Sequence, residues 1–185
     1  MPIPAFAYTY VLPPHLGNPT DMSRLSPYPC SMLELCQRFG TSLERQDILK
    51  GLLRWRSLLH NAGFESGWQW IDGSFVENIE VLEKRAPNDM DMVTFHGPPD
   101  QAKFDAALLT NPAMLDWNAT KTCYKLDHYF VDLSEAGRAV AENARYWGLL
   151  FSHRRDGVWK GMLRVELNTP NDDKTAVDWL SQNSV

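Results

Sequence analysis

Pro87-Asn88-Asp89-Met90-Asp91-Met92-Val93-Thr94-Phe95, read with Ile71-Asp72-Gly73-Ser74-Phe75 upstream, decides the fold. Met92-Val93-Thr94-Phe95 has the composition of a buried strand, so Asp89 and Asp91 stand at its start. Side chains alternate along a strand, and residues two apart project to one side. Two neighbouring carboxylates repel unless a cation neutralises them, and hard oxygen ligands favour Mg²⁺ or Mn²⁺ over softer metals. Taken alone, Asp-x-Asp is more often a solvated edge or turn, since short motifs recur by accident.

Upstream, Trp68-Gln69-Trp70-Ile71 reads as a strand, and Gly73-Ser74 opens a segment, Phe75 to Lys84, whose apolar spacing fits a helix. Glycine lets a ligand approach the backbone, and the free N–H groups at a helix start attract phosphate. An ordinary strand-to-helix turn capped by Ser74 accounts for the same residues. Gly-Ser followed by Asp-x-Asp, with a helix between, is more specific than either motif alone.

In this order the motifs resemble the signature of the DNA polymerase beta-like nucleotidyltransferase superfamily, in its minimal nucleotidyltransferase form. A nearer resemblance is to a branch of small, mainly bacterial members. It rests on Leu12-Pro13-Pro14, the arginine-bearing Glu44-Arg45-Gln46, Ile71-Asp72-Gly73-Ser74-Phe75-Val76 and Pro87-Asn88-Asp89-Met90-Asp91. Tyr146 to Phe151 and Arg155 to Gly161 resemble that branch's closing helix and hairpin, so the likeness runs from about Leu12 to Leu167.

The resemblance implies an α/β (α+β) nucleotidyltransferase fold, a mixed sheet flanked by helices. It also implies a nucleoside triphosphate such as ATP as substrate and Mg²⁺ or Mn²⁺ as cofactor. Asp89, Asp91 and a third acid would hold the metal and carry catalysis, since a second cation must also meet the attacking oxygen. The strand Lys125 to Asp132 offers Asp127 and Asp132; their odd spacing puts them on opposite faces, and the resemblance favours Asp127. Gly73 and Ser74 would bind the phosphates, helped by Arg155 and Lys160 beside the Asp156-Gly157 turn. That turn is also a hairpin signal whose basic neighbours can simply be solvated. Nucleoside monophosphate would pass to a protein or RNA acceptor, as in toxin-antitoxin or antiphage pairs, where a cognate toxin or antitoxin is the partner. Many members carry a basic residue soon after Gly-Ser. Here Phe75-Val76-Glu77 follows, and Glu77 would repel phosphate. The alternative is a catalytically degenerate member acting as a nucleotide- or partner-binding module; a third is an α/β domain whose acids are incidental.

Composition agrees with one unit. The chain has 185 residues, 44% hydrophobic and 22% charged, enough for a single core. A formal charge of −5 and a pI near 5.5 argue against a general DNA or RNA binder. With no membrane-length apolar run and no signal-peptide pattern, a cytoplasmic protein is expected. Cys30, Cys36 and Cys123 read as reduced, mostly buried thiols.

Residues 1–30 hold 7 of the 12 prolines and read as an extended arm whose aromatics, Phe6, Tyr8, Tyr10 and Tyr28, wrap it on the core. Residues 31–168 form the domain proper and 169–185 a polar tail with a short turn of helix. Within the domain we expect a helix from Ser31 to Phe39, a second from a cap at Thr41-Ser42 to Gly63, and one capped by Asp100 through Leu109. A short helix is expected near Ala113 to Trp117, then a strand from Tyr124 to Leu133. Ser134 should cap a helix to Phe151, and Trp159 to Leu167 closes with a strand. Arg45, Arg54 and Arg56 read as a solvated helix face. His128 reads as a packed residue, and Trp147 and Trp159 as core aromatics that could alternatively stack on a base.

Overall fold

The computed structural model describes residues 3–184. Its regular elements are β1 (Tyr28–Pro29), α1 (Met32–Phe39), α2 (Leu43–Asn61), β2 (Gly67–Asp72), α3 (Ile79–Leu82), β3 (Met90–His96), α4 (Gln101–Thr110), α5 (Trp117–Tyr124), β4 (Leu126–Asp132), α6 (Gly137–Leu150), β5 (Leu163–Glu166) and α7 (Pro170–Gln182). Short 3-10 turns lie at Met22–Arg24, Ser74–Val76 and Pro112–Leu115. The five strands form one mixed sheet in the order β1-β5-β2-β3-β4, a mixed α+β architecture. β2 is antiparallel to both its neighbours, whereas β3 and β4 run parallel.

Alternation on the strands separates two layers. Ile71, Met90, Met92, Leu126, Leu163 and Val165 join the large core with α1, α2 and α7. Val93, Phe95 and Val131 face the other way, onto Trp147 and Phe151 at the end of α6, with Trp68 and Trp70 beside them. The helix starts follow local chemistry: Ser31 and Glu34 form a full capping box on α1, Ser42 caps α2 and Asp100 caps α4. Among the described residues no helix is long and apolar enough to cross a membrane.

The arm packs as a strap. Val11 and Leu12 are fully buried. Val11 bridges Glu77, the Asn78 N–H donates to Tyr10 O, and the Gly161 N–H donates to Leu12 O. Tyr28 brings the arm into the sheet as β1, parallel to β5.

This strap explains one departure from the sequence reading. Phe75 to Lys84 is not one helix: a 3-10 turn ends at Val76, Glu77 is extended, and only Ile79–Leu82 is helical. The backbone at Glu77 and Asn78 pairs with the arm instead. Arg45 holds the break, donating to the carbonyls of Phe75 (2.6 Å) and Glu77 (2.8 Å) and to the Glu80 carboxylate. Within this segment Ile79 is buried but Val81 is exposed.

Two of the three arginines of α2 are therefore not a solvated face. Arg45 and Arg56 are 3% and 2% exposed. Arg56 donates to Asp173, Gln69, Thr169 and the carbonyls of Glu166 and Leu167, joining α2, β2, β5 and α7. The network continues through Gln69 and Thr94 to His128, whose Nε2 lies 2.7 Å from Thr94 Oγ1. Burial pushes the His128 imidazole down to about 3, so it is neutral.

Residues 170–182 form a full helix rather than a polar tail with one turn. Its apolar stripe is thin, Ala176 and Leu180, but Asp172 accepts from the backbone at the start of α1 and Asp173 pairs with Arg56. The start of the strand read from Tyr124 belongs to α5, which closes on Lys125 in the left-handed conformation. α6 begins after Ala136 without a side-chain cap, because Ser134 donates instead to Asp132. β5 begins only at Leu163, since Gly161 pairs with the arm. Cys36 is buried and Cys30 partly so, but Cys123 is exposed near the end of α5. Trp147 packs in the smaller core as expected, whereas Trp159 stands 63% exposed.

Candidate functional site

Register builds the site. Asp72 ends β2 opposite Asp91 of β3, and Asp91 is opposite Asp127 of β4. Paired residues on adjacent strands share a face, so three carboxylates line one end of the sheet, on the α6 side. Asp89, two residues before Asp91, adds a fourth. Asp132 lies at the far end of β4, opposite His96, and bonds Ser134.

Two lysines serve this row from its ends. Lys121 of α5 places Nζ 2.8 Å from Asp89 Oδ2 and 2.9 Å from Asp127 Oδ2. Lys160, itself buried, places Nζ 3.0 Å from Asp72 Oδ2, 2.9 Å from Glu77 Oε1 and 3.4 Å from Gly73 O. Glu77 also receives Arg154 at 2.7 Å, so its charge is met twice from within the protein and is not left facing a phosphate. Arg155 remains exposed at the hairpin tip beside Asp156.

Asp91 lies between these groups with no ion pair of its own among the described residues. Burial, then the charges of Asp89 and Asp127, push its carboxyl up to about 6, against the pull of Lys160 and Lys121. Burial likewise raises Asp72, opposed by Lys160. One oxygen of Asp72 and one of Asp127 are buried without a hydrogen-bond partner. Five carboxylates, on Asp72, Glu77, Asp89, Asp91 and Asp127, thus meet three cations, on Lys121, Lys160 and Arg154, and with all five ionised two negative charges are left uncompensated. An all-oxygen donor set with excess negative charge and unpartnered oxygens fits a hard divalent cation. No three of these side chains, among the described residues, are arranged to hold a metal ion. Lys121 holds two of them.

Gly73 supplies the other half. Its backbone, at φ 81° and ψ −170°, lies in a region essentially confined to glycine. An added Cβ would lie 1.9 Å from Asp91 Oδ2. The turn therefore passes directly over the carboxylate, and Gly73, not Ser74, stands at its cap position. Gly73→Ala should cost about 1–3 kcal/mol in thermal or urea unfolding and force Asp91 aside. Unchanged stability would contradict this packing.

The sequence alone does not mark Asp72, Lys121 or the positioning role of Arg45. Asp72 stands in the sequence as part of the Asp-Gly-Ser motif, and its place in the row depends on strand register. Nothing local to Lys121 distinguishes it from other surface lysines.

Residues 4–166 match the model of a family described as Family of unknown function (DUF6932). No curated protein and no solved structure matches the chain.

Proposed function

The chain belongs to that family of unknown function, and we propose, from its own residues, that it is a metal-dependent nucleotidyltransferase. It would transfer a nucleoside monophosphate from a nucleoside triphosphate to a protein or RNA hydroxyl. The observation that carries this reading is the carboxylate row Asp72-Asp91-Asp127, with Asp89 beside it, packed directly under the Gly73-Ser74 turn.

In this reading Asp89, Asp91 and Asp127 hold Mg²⁺ or Mn²⁺, and the cation supplies charge neutralisation at the phosphates and a more acidic acceptor hydroxyl. Gly73, which carries no side chain, lets a phosphate approach the backbone above Asp91. Arg45 fixes that turn through the Phe75 and Glu77 carbonyls. The acceptor oxygen attacks the α-phosphorus in line; the new O–P bond forms as the α–β phosphoanhydride breaks, and pyrophosphate leaves with the bonding pair. Asp127, at the outer end of the row, receives the acceptor's proton.

A second reading, a binding module without turnover, is favoured by one observation: Lys121 bridges Asp89 and Asp127, occupying an oxygen of each. The two separate by where label goes. Incubated with Mg²⁺ and nucleoside triphosphates, the enzyme transfers α-phosphate label to itself or to an added protein or RNA fraction and releases γ-label as pyrophosphate. Transfer of γ-label instead would identify a kinase. Nucleotide binding without transfer of either label would favour the module.

A further inference from the structure

Beside the carboxylate row, between the N-terminal arm and the end of α6, lies a groove of about 640 Å³, within the size range of small-molecule sites, roughly 300–1,000 Å³. Its walls include His15, Pro27, Trp70, Gly148, Trp159 and Lys160. Resting on the nucleotidyltransferase reading, we infer that this groove seats the base of the nucleotide whose phosphates lie at the Gly73 turn.

The two regions share structure. Lys160 lines the groove while its Nζ reaches Asp72 and Gly73 O. Trp70 precedes Asp72 by two residues on the same face of β2, about 7 Å along the strand. A ligand with its anionic end over Gly73 therefore has the groove within reach of its other end. The groove's chemistry suits a flat, neutral heterocycle. No acidic side chain lines it, and its one cation is already paired with Asp72 and Glu77. Two indoles stand in its walls, and base stacking on an aromatic side chain tolerates any base. Trp70 is braced edge-on against Phe95 at 4.6 Å. Trp159, by contrast, is 63% exposed, where a core role would have buried it. At Gly148 an added Cβ would meet no atom within 4 Å, so the helix leaves this wall open.

The test compares two variants with the wild type. Gly148→Phe puts a ring into open space at the groove wall, and Trp159→Ala removes an exposed stacking surface; thermal unfolding confirms that both fold. Each of the four nucleoside triphosphates, and inorganic tripolyphosphate as a base-free probe, is titrated calorimetrically with Mg²⁺. The preferred nucleotide should bind the wild type about tenfold or more tighter than tripolyphosphate, as expected for one stacked base. Both variants should lose that margin while binding tripolyphosphate unchanged. Variants that bind the nucleotide as the wild type does would overturn the assignment and leave the phosphate site standing. So would a wild type that binds tripolyphosphate as tightly as every nucleotide. A wild type that binds neither ligand overturns the underlying reading, and the groove's assignment with it.

Discussion

Asp91→Asn is expected to make the metal-free protein more stable at pH 8 by about 2 kcal/mol, while lowering nucleotidyl transfer at least about a hundredfold. The two effects have one cause. Asp91 is held at about 6 in the folded protein, against 3.8 for the ordinary carboxyl. The folded state therefore binds that proton more tightly than the unfolded chain does. Its stabilising contribution is complete below about pH 4 and is lost as pH rises through 6. A full shift of this size corresponds to roughly 3 kcal/mol, reduced because the carboxyl is partly exposed. Asparagine carries no charge at any pH, so the variant should lose the Asp91 share of the wild type's decline and keep only the share of Asp72, whose carboxyl burial also pushes up, to about 7. Urea unfolding from pH 4 to 8 without divalent ions measures the difference. Adding Mn²⁺ should restore wild-type stability at pH 8 and do nothing for the variant. Parallel pH profiles for the two proteins would show that Asp91 is not the unpaired charge described here.

Arg56→Ala is expected to destabilise the fold by about 3–5 kcal/mol, the usual penalty for breaking a buried ion pair from one side. The loss leaves Gln69 Oε1, Thr169 Oγ1 and the carbonyls of Glu166 and Leu167 short of donors and Asp173 without its cation. Arg56→Lys should rescue little, since one ammonium cannot reach acceptors arranged around a guanidinium fork. Arg54→Ala, two residues earlier on an exposed part of the same helix, should change the urea midpoint little. Equal midpoints for the Arg54 and Arg56 variants would contradict the structural role of this network.

The contrast between those arginines marks where sequence stops being informative. The strand character of Trp68 to Ile71 and Met92 to Phe95, and the caps at Thr41-Ser42 and Asp100, depend on neighbours a few residues away and can be read directly. The placement of Asp89 and Asp91 at the head of a strand is equally local. The alignment of Asp72 with Asp91 and Asp127 depends on the register of three separate strands, which no local pattern fixes. α7 has a thin apolar stripe because Asp172 and Asp173 tie it to α1 and α2, contacts made across more than a hundred residues. The broken helix after Ser74 has the same origin. Its apolar spacing is genuine, but pairing with the arm and the reach of Arg45 outweigh a helix this short. Lys121 is recognisable only once α5 sets it against Asp89 and Asp127.

The central claim, that the carboxylate row beneath Gly73 is a divalent-cation and nucleotide site, is tested most directly by calorimetry. Each of the four nucleoside triphosphates is titrated, with and without Mg²⁺, into the wild type and into an Asp89→Asn/Asp91→Asn double variant. The account predicts Mg²⁺-dependent binding by the wild type and none by the double variant, which remains folded because it has lost mutually repelling charges. A well-folded wild type that binds no nucleotide, or a double variant that binds as tightly as the wild type, would contradict it.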